Sequence, residues 1–164
     1  MLFRSVGAGA LGGFVPGIIV GFATNALNSV FDGISIYYSF ISIGIAFVSA
    51  YFIYKKKLGK ISGIIQLILL LALMGGTIGS LVTWFLTGPG DDAFSVSGRA
   101  WFQDHLGANT LVAHILLCTA WDIVDKTITV MVVIIALKLL PRNTRDYTWL
   151  NGWHQTPKIG RAHL

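Results

Sequence analysis

The sequence predicts an all-α fold, a polytopic bundle of membrane-spanning helices, and three observations carry that expectation. Hydrophobic residues make up 54% of the 164 and charged residues only 12%, about half the charge of a soluble domain. Mean hydropathy is +0.72. Four stretches, about 6–27, 35–54, 61–87 and 109–140, approach or exceed the ~20 apolar residues that cross a bilayer. The charges that do occur cluster between those stretches.

The first stretch carries a glycine every four residues: Gly9, Gly13, Gly17 and Gly21, with Asn25 the next step on the same face. Small residues at that spacing let helix backbones approach closely in lipid, where packing replaces the hydrophobic effect. The reading is a helix-packing seam. Asn25 differs, because an amide near the outer end of a span needs a partner. The second stretch opens on Tyr37 and Tyr38, which read as interfacial anchors. The third repeats the small-residue device with Gly75 and Gly79, and with Gly76 and Ser80, before Trp84 at the external interface.

Orientation follows from lysine and arginine. The loop 55–60 holds four lysines and no acid, and the tail after the last stretch holds Lys138, Arg142 and Arg145 against Asp146. Asp32 occupies one of the remaining loops. Asp91, Asp92 and Asp104 outnumber Arg99 in the other. Basic loops stay cytoplasmic, so four crossings place the acidic loops outside and the C-terminus inside. An even number of crossings before this stretch fits the same parity if the intact N-terminus is also cytoplasmic.

The fourth stretch is the unusual one. On a helix at 100° per residue, Cys118, Asp122, Asp125 and Thr129 fall within an arc of roughly 80°, with Lys126 beside them, four residues after Asp122 in the favourable order. At ~1.5 Å per residue, 109–140 is about 48 Å long, so its first third, including His114, projects outward, breaks or lies along the interface. Two readings of Asp122, Asp125 and Lys126 stay open. One is a structural ion pair fixing helix register. The other is a ligand site opening outward, since intramembrane ionisable residues face a bundle interior or a wet cavity. The candidate ligand-binding residues are Asn25, Trp84, Trp121, Asp122, Asp125 and Lys126. His114 alone reads as a satisfied interfacial histidine.

Much is excluded. A single cysteine, Cys118, allows no internal disulfide framework and no cysteine-based metal site. No phosphate-cradling loop, nucleophile–base pair or metal-ligand spacing is present, so no enzyme, cofactor or metal is expected. The pI of 9.6 carries no nucleic-acid signal, because part of the basic excess lies at two foreign-looking ends. Back-translated, MLFRS reads as GTG CTC TTC CGA TCT, the end of a sequencing adapter with GTG as a start codon. KIGRAH reads as AAG ATC GGA AGA GCA CAC, its reverse complement. Residues 1–5 and about 158–164 are therefore expected to be adapter scars flanking a transmembrane domain, 6–141, and a cytoplasmic tail, 142–157. Without Arg4, Lys158 and Arg161 the basic residues fall from 12 to 9 against 7 acids, a net charge of about +2. The expectation is an internal fragment of a longer protein.

The run GGFVPGIIVGFATN (12–25), the GG-x-x-GS helix at 75–80 and WDIVDKTITVMVVIIALKLLP (121–141) together resemble a group of bacterial membrane domains. These are similar to the substrate-binding S components of energy-coupling-factor (ECF) vitamin transporters. Related domains also serve as N-terminal membrane sensors of signalling proteins. Asp125, Lys126, Leu140 and Pro141 carry the most recognisable element, and the glycine-rich helix ending in Asn25 the second. The resemblance implies a six-helix domain in the bacterial inner membrane that captures a vitamin-like small molecule without chemistry. Its partners would be the lipid bilayer and either an ECF coupling subunit with paired ATPases or a fused cytoplasmic signalling module. A structural membrane anchor is the plainest alternative. The tail DYTWLNGWHQTP bears on the choice, since an S component ends soon after its last helix and a sensor continues.

Overall fold

The structure, a computed structural model, describes residues 2–55 and 60–139. Among these residues all regular structure is helical. Helices α1 (Leu2–Gly12) and α2 (Phe14–Asp32) are followed by a 3-10 turn, Ser35–Tyr38, that runs into α3 (Ser39–Tyr54). A long third rod comprises α4 (Ile61–Ala72), a π-helical segment, Leu73–Ile78, and α5 (Gly79–Thr87). Helix α6 (Ala93–Leu106) and the thirty-residue α7 (Thr110–Leu139) complete the described chain.

Three helical runs are long and apolar enough to cross a membrane: Phe14–Asp32, Ser35–Tyr54 and Ile61–Thr87. The chain is a membrane protein. Large apolar side chains cover its outer surface, as Val30, Phe31, Phe40 and Phe85 do at 78–90% exposed. Such a surface suits lipid and would be anomalous in water. Helix α7 reaches about 45 Å, but its middle carries Asp122, Asp125 and Lys126, so length alone makes it a candidate crossing. The core lies where α1, α3, α4 and α7 meet, around Val6, Ile45, Ile53, Leu71, Val130 and Val133.

The first predicted span is not one helix. Gly13 has φ 84° and ends α1, and α2 starts at Phe14. A left-handed φ is cheap only for glycine, and Pro16 in the first turn of α2 tolerates the missing hydrogen bond. The chain reverses there. A Cβ on Gly17 would lie 2.9 Å from the Gly9 Cα and 3.0 Å from the Ala46 Cβ, whereas eight residues of continuous helix would separate Gly9 and Gly17 by about 12 Å. The expected seam along one face is therefore a pinch between α1, α2 and α3. Residues 2–5 belong to α1, and Ser5 is 1% exposed. Residues 158–164 and the tail 142–157 lie outside the described residues, as do Leu140 and Pro141.

The segment 88–108, read as a loop, contains α6. Asp92 caps it, its carboxylate accepting the Ser95 N–H at 2.9 Å, as Asp does at helix starts. Arg99 is 7% exposed and donates to the Gly90 carbonyl at 2.8 Å. This ties the entering loop to the helix.

Candidate functional site

Polar side chains from across the bundle meet at one small cavity of about 330 Å³, lined by Asn25 from α2, Tyr38 from the 3-10 turn, Ser42 from α3, Ser80 and Thr83 from α5 beside glycines of the π segment, and Cys118, Trp121 and Asp122 from α7. The lining residues lie between the middle of their helices and the ends next to Asp32 and to residues 88–109. That shared half is why residues far apart in sequence meet.

Asn25 is 1% exposed. Its Nδ2 donates to the Gly21 carbonyl at 2.8 Å and to Ser42 Oγ at 2.7 Å. A carbonyl can only accept, so the Gly21 contact fixes which way the amide points. Both amide hydrogens are spent and Oδ1 is left buried without a donor. Close approach makes this possible, since a Cβ on Gly21 would sit 3.2 Å from the Ser42 carbonyl.

Asp122 comes from the opposite side. Its Oδ1 accepts from Lys126 Nζ at 2.8 Å. Its Oδ2 lies against Gly75, where any Cβ would collide with it. The Gly76 amide is directed at the carboxyl as a weak hydrogen bond, but it falls short of full hydrogen-bond geometry, and Oδ2 is left without a well-formed donor. Gly76 packs on α7, with a virtual Cβ 2.6 Å from the Thr119 Cα, and Thr77 and Thr119 share a hydrogen bond of 3.0 Å. The π-helical turn thus offers bare backbone to α7 at the level of its carboxylate, an insertion of the kind common at functional sites.

Lys126 is wholly buried and pairs with both acids, at 2.8 Å to Asp122 and 2.7 Å to Asp125. The two acids are not equivalent. The Asp122 side chain is 18% exposed and the Asp125 side chain 53%. The buried face of α7 runs through Lys126, Thr129, Val130 and Val133. Asp125, about 100° around the helix from Lys126, points off it. The buried face lies one step round from the expected acidic stripe, and of the two acids only Asp122 faces the bundle interior.

The other expected residues separate in the same way. Trp121 lines the cavity while 63% exposed, its ring edge-on to Phe94 at 5.3 Å. Trp84 does not line it; its ring lies 5.5 Å from that of His114, which is 5% exposed. Cys118 Sγ is 3.8 Å from His114 Nε2. Gly79, assigned to helix packing, has only the Ile41 Cδ1 near its virtual Cβ, at 3.9 Å, and borders the cavity instead. Gly9, Gly17, Gly21, Gly75 and Gly76 do form close contacts. Tyr38, Ser42, Ser80 and Thr83 are site residues that the sequence did not reveal. Their signal was a hydroxyl every three or four residues on two apolar helices.

The arrangement can hold a small molecule by hydrogen bonding and stacking. Among the described residues no group of three or more His, Cys, Asp or Glu is disposed to hold a metal ion. Comparison with known protein families, with curated proteins and with solved structures yields no match.

Proposed function

We propose that this chain is the membrane-embedded binding component for a vitamin-like small molecule, of the ECF uptake type, in a bacterial inner membrane. The observation that supports it is the cavity with two buried, donor-less oxygens, Asn25 Oδ1 and Asp122 Oδ2, on facing helices. Buried acceptors without partners cost about 1–3 kcal/mol each, a cost that a ligand supplying donors would relieve. In this reading α7 is a fourth crossing, the cavity opens outward and the C-terminus is cytoplasmic. A coupling subunit and paired ATPases on other polypeptides would then drive uptake, and the chain itself performs no catalysis.

The test is extraction of the purified protein from bacterial membranes, followed by mass spectrometry of what co-purifies. A small molecule should accompany the wild type and be absent from Gly79→Leu, whose side chain would fill the cavity, at unchanged elution volume and melting temperature. Equal small-molecule content in both proteins, or none in either, defeats the binding reading. Orientation has its own check in a Cys118→Ser background. A cysteine at Asp92 should react with an impermeant thiol reagent on intact cells and one at Lys57 should not. The opposite pattern would turn the cavity to the cytoplasm.

A further inference from the structure

We infer that the cavity selects a small organic cation bearing at least two N–H donors, an amidinium, guanidinium or ammonium group next to a flat apolar body. The inference rests on the binding reading above and names its ligand class.

The argument is an inventory of hydrogens. Thr83 Oγ1 donates to the Gly79 carbonyl at 2.9 Å, so its oxygen must accept from the Tyr38 hydroxyl, 2.7 Å away. The Ser80 hydroxyl donates to the Thr77 carbonyl at 2.9 Å. Asn25 has spent both amide hydrogens. Ser42 Oγ accepts from Asn25 and keeps one hydrogen of its own; the buried atoms without any partner at the cavity are both acceptors, Asn25 Oδ1 and Asp122 Oδ2. A carboxylate or phosphate would find repulsion there. An N–H-rich group would satisfy both oxygens.

Charge points the same way. Two carboxyl groups, Asp122 and Asp125, share one ammonium, that of Lys126, so the count of formal charges leaves one negative in surplus. The ammonium engages Oδ1 of Asp122; Oδ2, the other oxygen, is the one left over. Among the described residues the buried guanidinium, that of Arg99, is held by the Gly90 carbonyl on the loop into α6. The cavity also carries aromatic rings, Tyr38 within it and the half-exposed Trp121 at its edge. Tryptophan is the best cation–π partner. Acceptors on two sides and an indole at the mouth describe a seat for a flat cation.

Three isosteric probes separate the possibilities: benzamidine (cation), benzamide (neutral) and benzoate (anion). Their affinities for the detergent-purified full chain can be measured by ligand-observed NMR. Benzamidine should bind about tenfold more tightly than benzamide, equivalent to one charge-assisted contact, with no detectable benzoate binding. Asp122→Asn, which leaves Lys126 paired with Asp125, should erase the benzamidine advantage. If that variant does not fold, Trp121→Leu at an exposed position should narrow the ratio about threefold. Benzoate binding as tightly as benzamidine overturns the inference. So does a ratio unmoved by the Asp122 or Trp121 change, and so does failure of all three probes to bind. An anionic molecule co-purifying from membranes would overturn the cation class while leaving the binding reading intact. Absence of any co-purifying molecule would fall on the binding reading itself.

Discussion

Along α3, the neighbouring helices α1, α2 and α5 use small residues for opposite purposes at the two ends. At one end a Cβ on Gly9 would lie 2.5 Å from the Ala46 carbonyl oxygen, and Gly17 closes on both. Backbone meets backbone and no space is left. At the other end Gly21 still lets Asn25 reach Ser42, but across the gap Gly79 has only a methyl of Ile41 at 3.9 Å. There small side chains leave a cavity. Glycine spacing therefore marks where helices come close without saying whether the closeness is used for packing or for room. The deciding residues are the polar ones between: Ser5 is buried near the closed end, while Asn25 and Asp122 keep open acceptors at the other.

The largest effect should come from the residue that makes the open end possible. Lys126→Met would leave Asp122, four-fifths buried, without its ammonium. Removing one partner of a buried pair costs roughly 3–5 kcal/mol, so loss of folded protein or a steep fall in melting temperature in detergent is expected. A variant of unchanged stability would mean that the pair is dispensable to the fold.

Next comes the pinch. Gly9→Ala drives a methyl into the Ala46 carbonyl, and overpacking of this sort costs about 1–3 kcal/mol. Gly79→Ala adds the same methyl where the nearest atom is at van der Waals distance, and should change stability by less than about 0.5 kcal/mol. Denaturant titration of the two variants side by side decides it. Equal losses would erase the distinction between the two ends.

A smaller effect separates the two acids. Asp125→Asn leaves Lys126 with Asp122, and the Asp125 side chain is half-exposed. The expected cost is below about 1 kcal/mol, in the range of exposed pairs. Benzamidine affinity should fall much less than in Asp122→Asn. A larger loss in Asp125→Asn than in Asp122→Asn would relocate the site to the outer side of α7.

How much of this the sequence disclosed follows from which signals are periodic. The spans 35–54 and 61–87 were legible because apolar runs of that length have one physical use, and the structure holds Ser35–Tyr54 and Ile61–Thr87. The Asp122–Lys126 pair was legible from its four-residue spacing. Gly13 was not, because a glycine on a regular repeat looks the same in a continuous helix as in a left-handed break. Helix α6 was hidden by composition, since Asp91, Asp92 and the flanking glycines read as loop, and only the Asp92-to-Ser95 spacing signals a cap. The facing of Asp125 is not legible because charge does not mark the centre of the buried face. The aliphatic stem of Lys126 and the valines after it set that face.

The smallest expected effect concerns the rim of the open end, where α6 packs on α7. A Cβ on Gly98 would lie 2.6 Å from Leu117 Cδ1, and the start of α6 is held by Asp92. Its carboxyl is fully solvent-exposed yet titrates below the usual range. The first cause is a hydrogen bond with the Ser95 hydroxyl and the second the Ser95 amide, with the Arg99 guanidinium adding less. A carboxyl whose folded value is depressed contributes stability above its unfolded value, and loses that contribution as pH falls through the folded one. The Ser95 amide should therefore keep constant protection from neutral pH down to about 4, the ordinary carboxylate range, and lose it progressively below. The measurement is hydrogen exchange in detergent, corrected for the intrinsic pH dependence of exchange. In Asp92→Ala the Ser95 amide should start less protected and show no such transition. The closed end, where Gly9 and Gly17 meet Ala46 without a titratable group in those contacts, should stay equally protected over the same range. A parallel loss at Ala46 would mean that acid loosens the bundle as a whole and that the cap of α6 is not what responds.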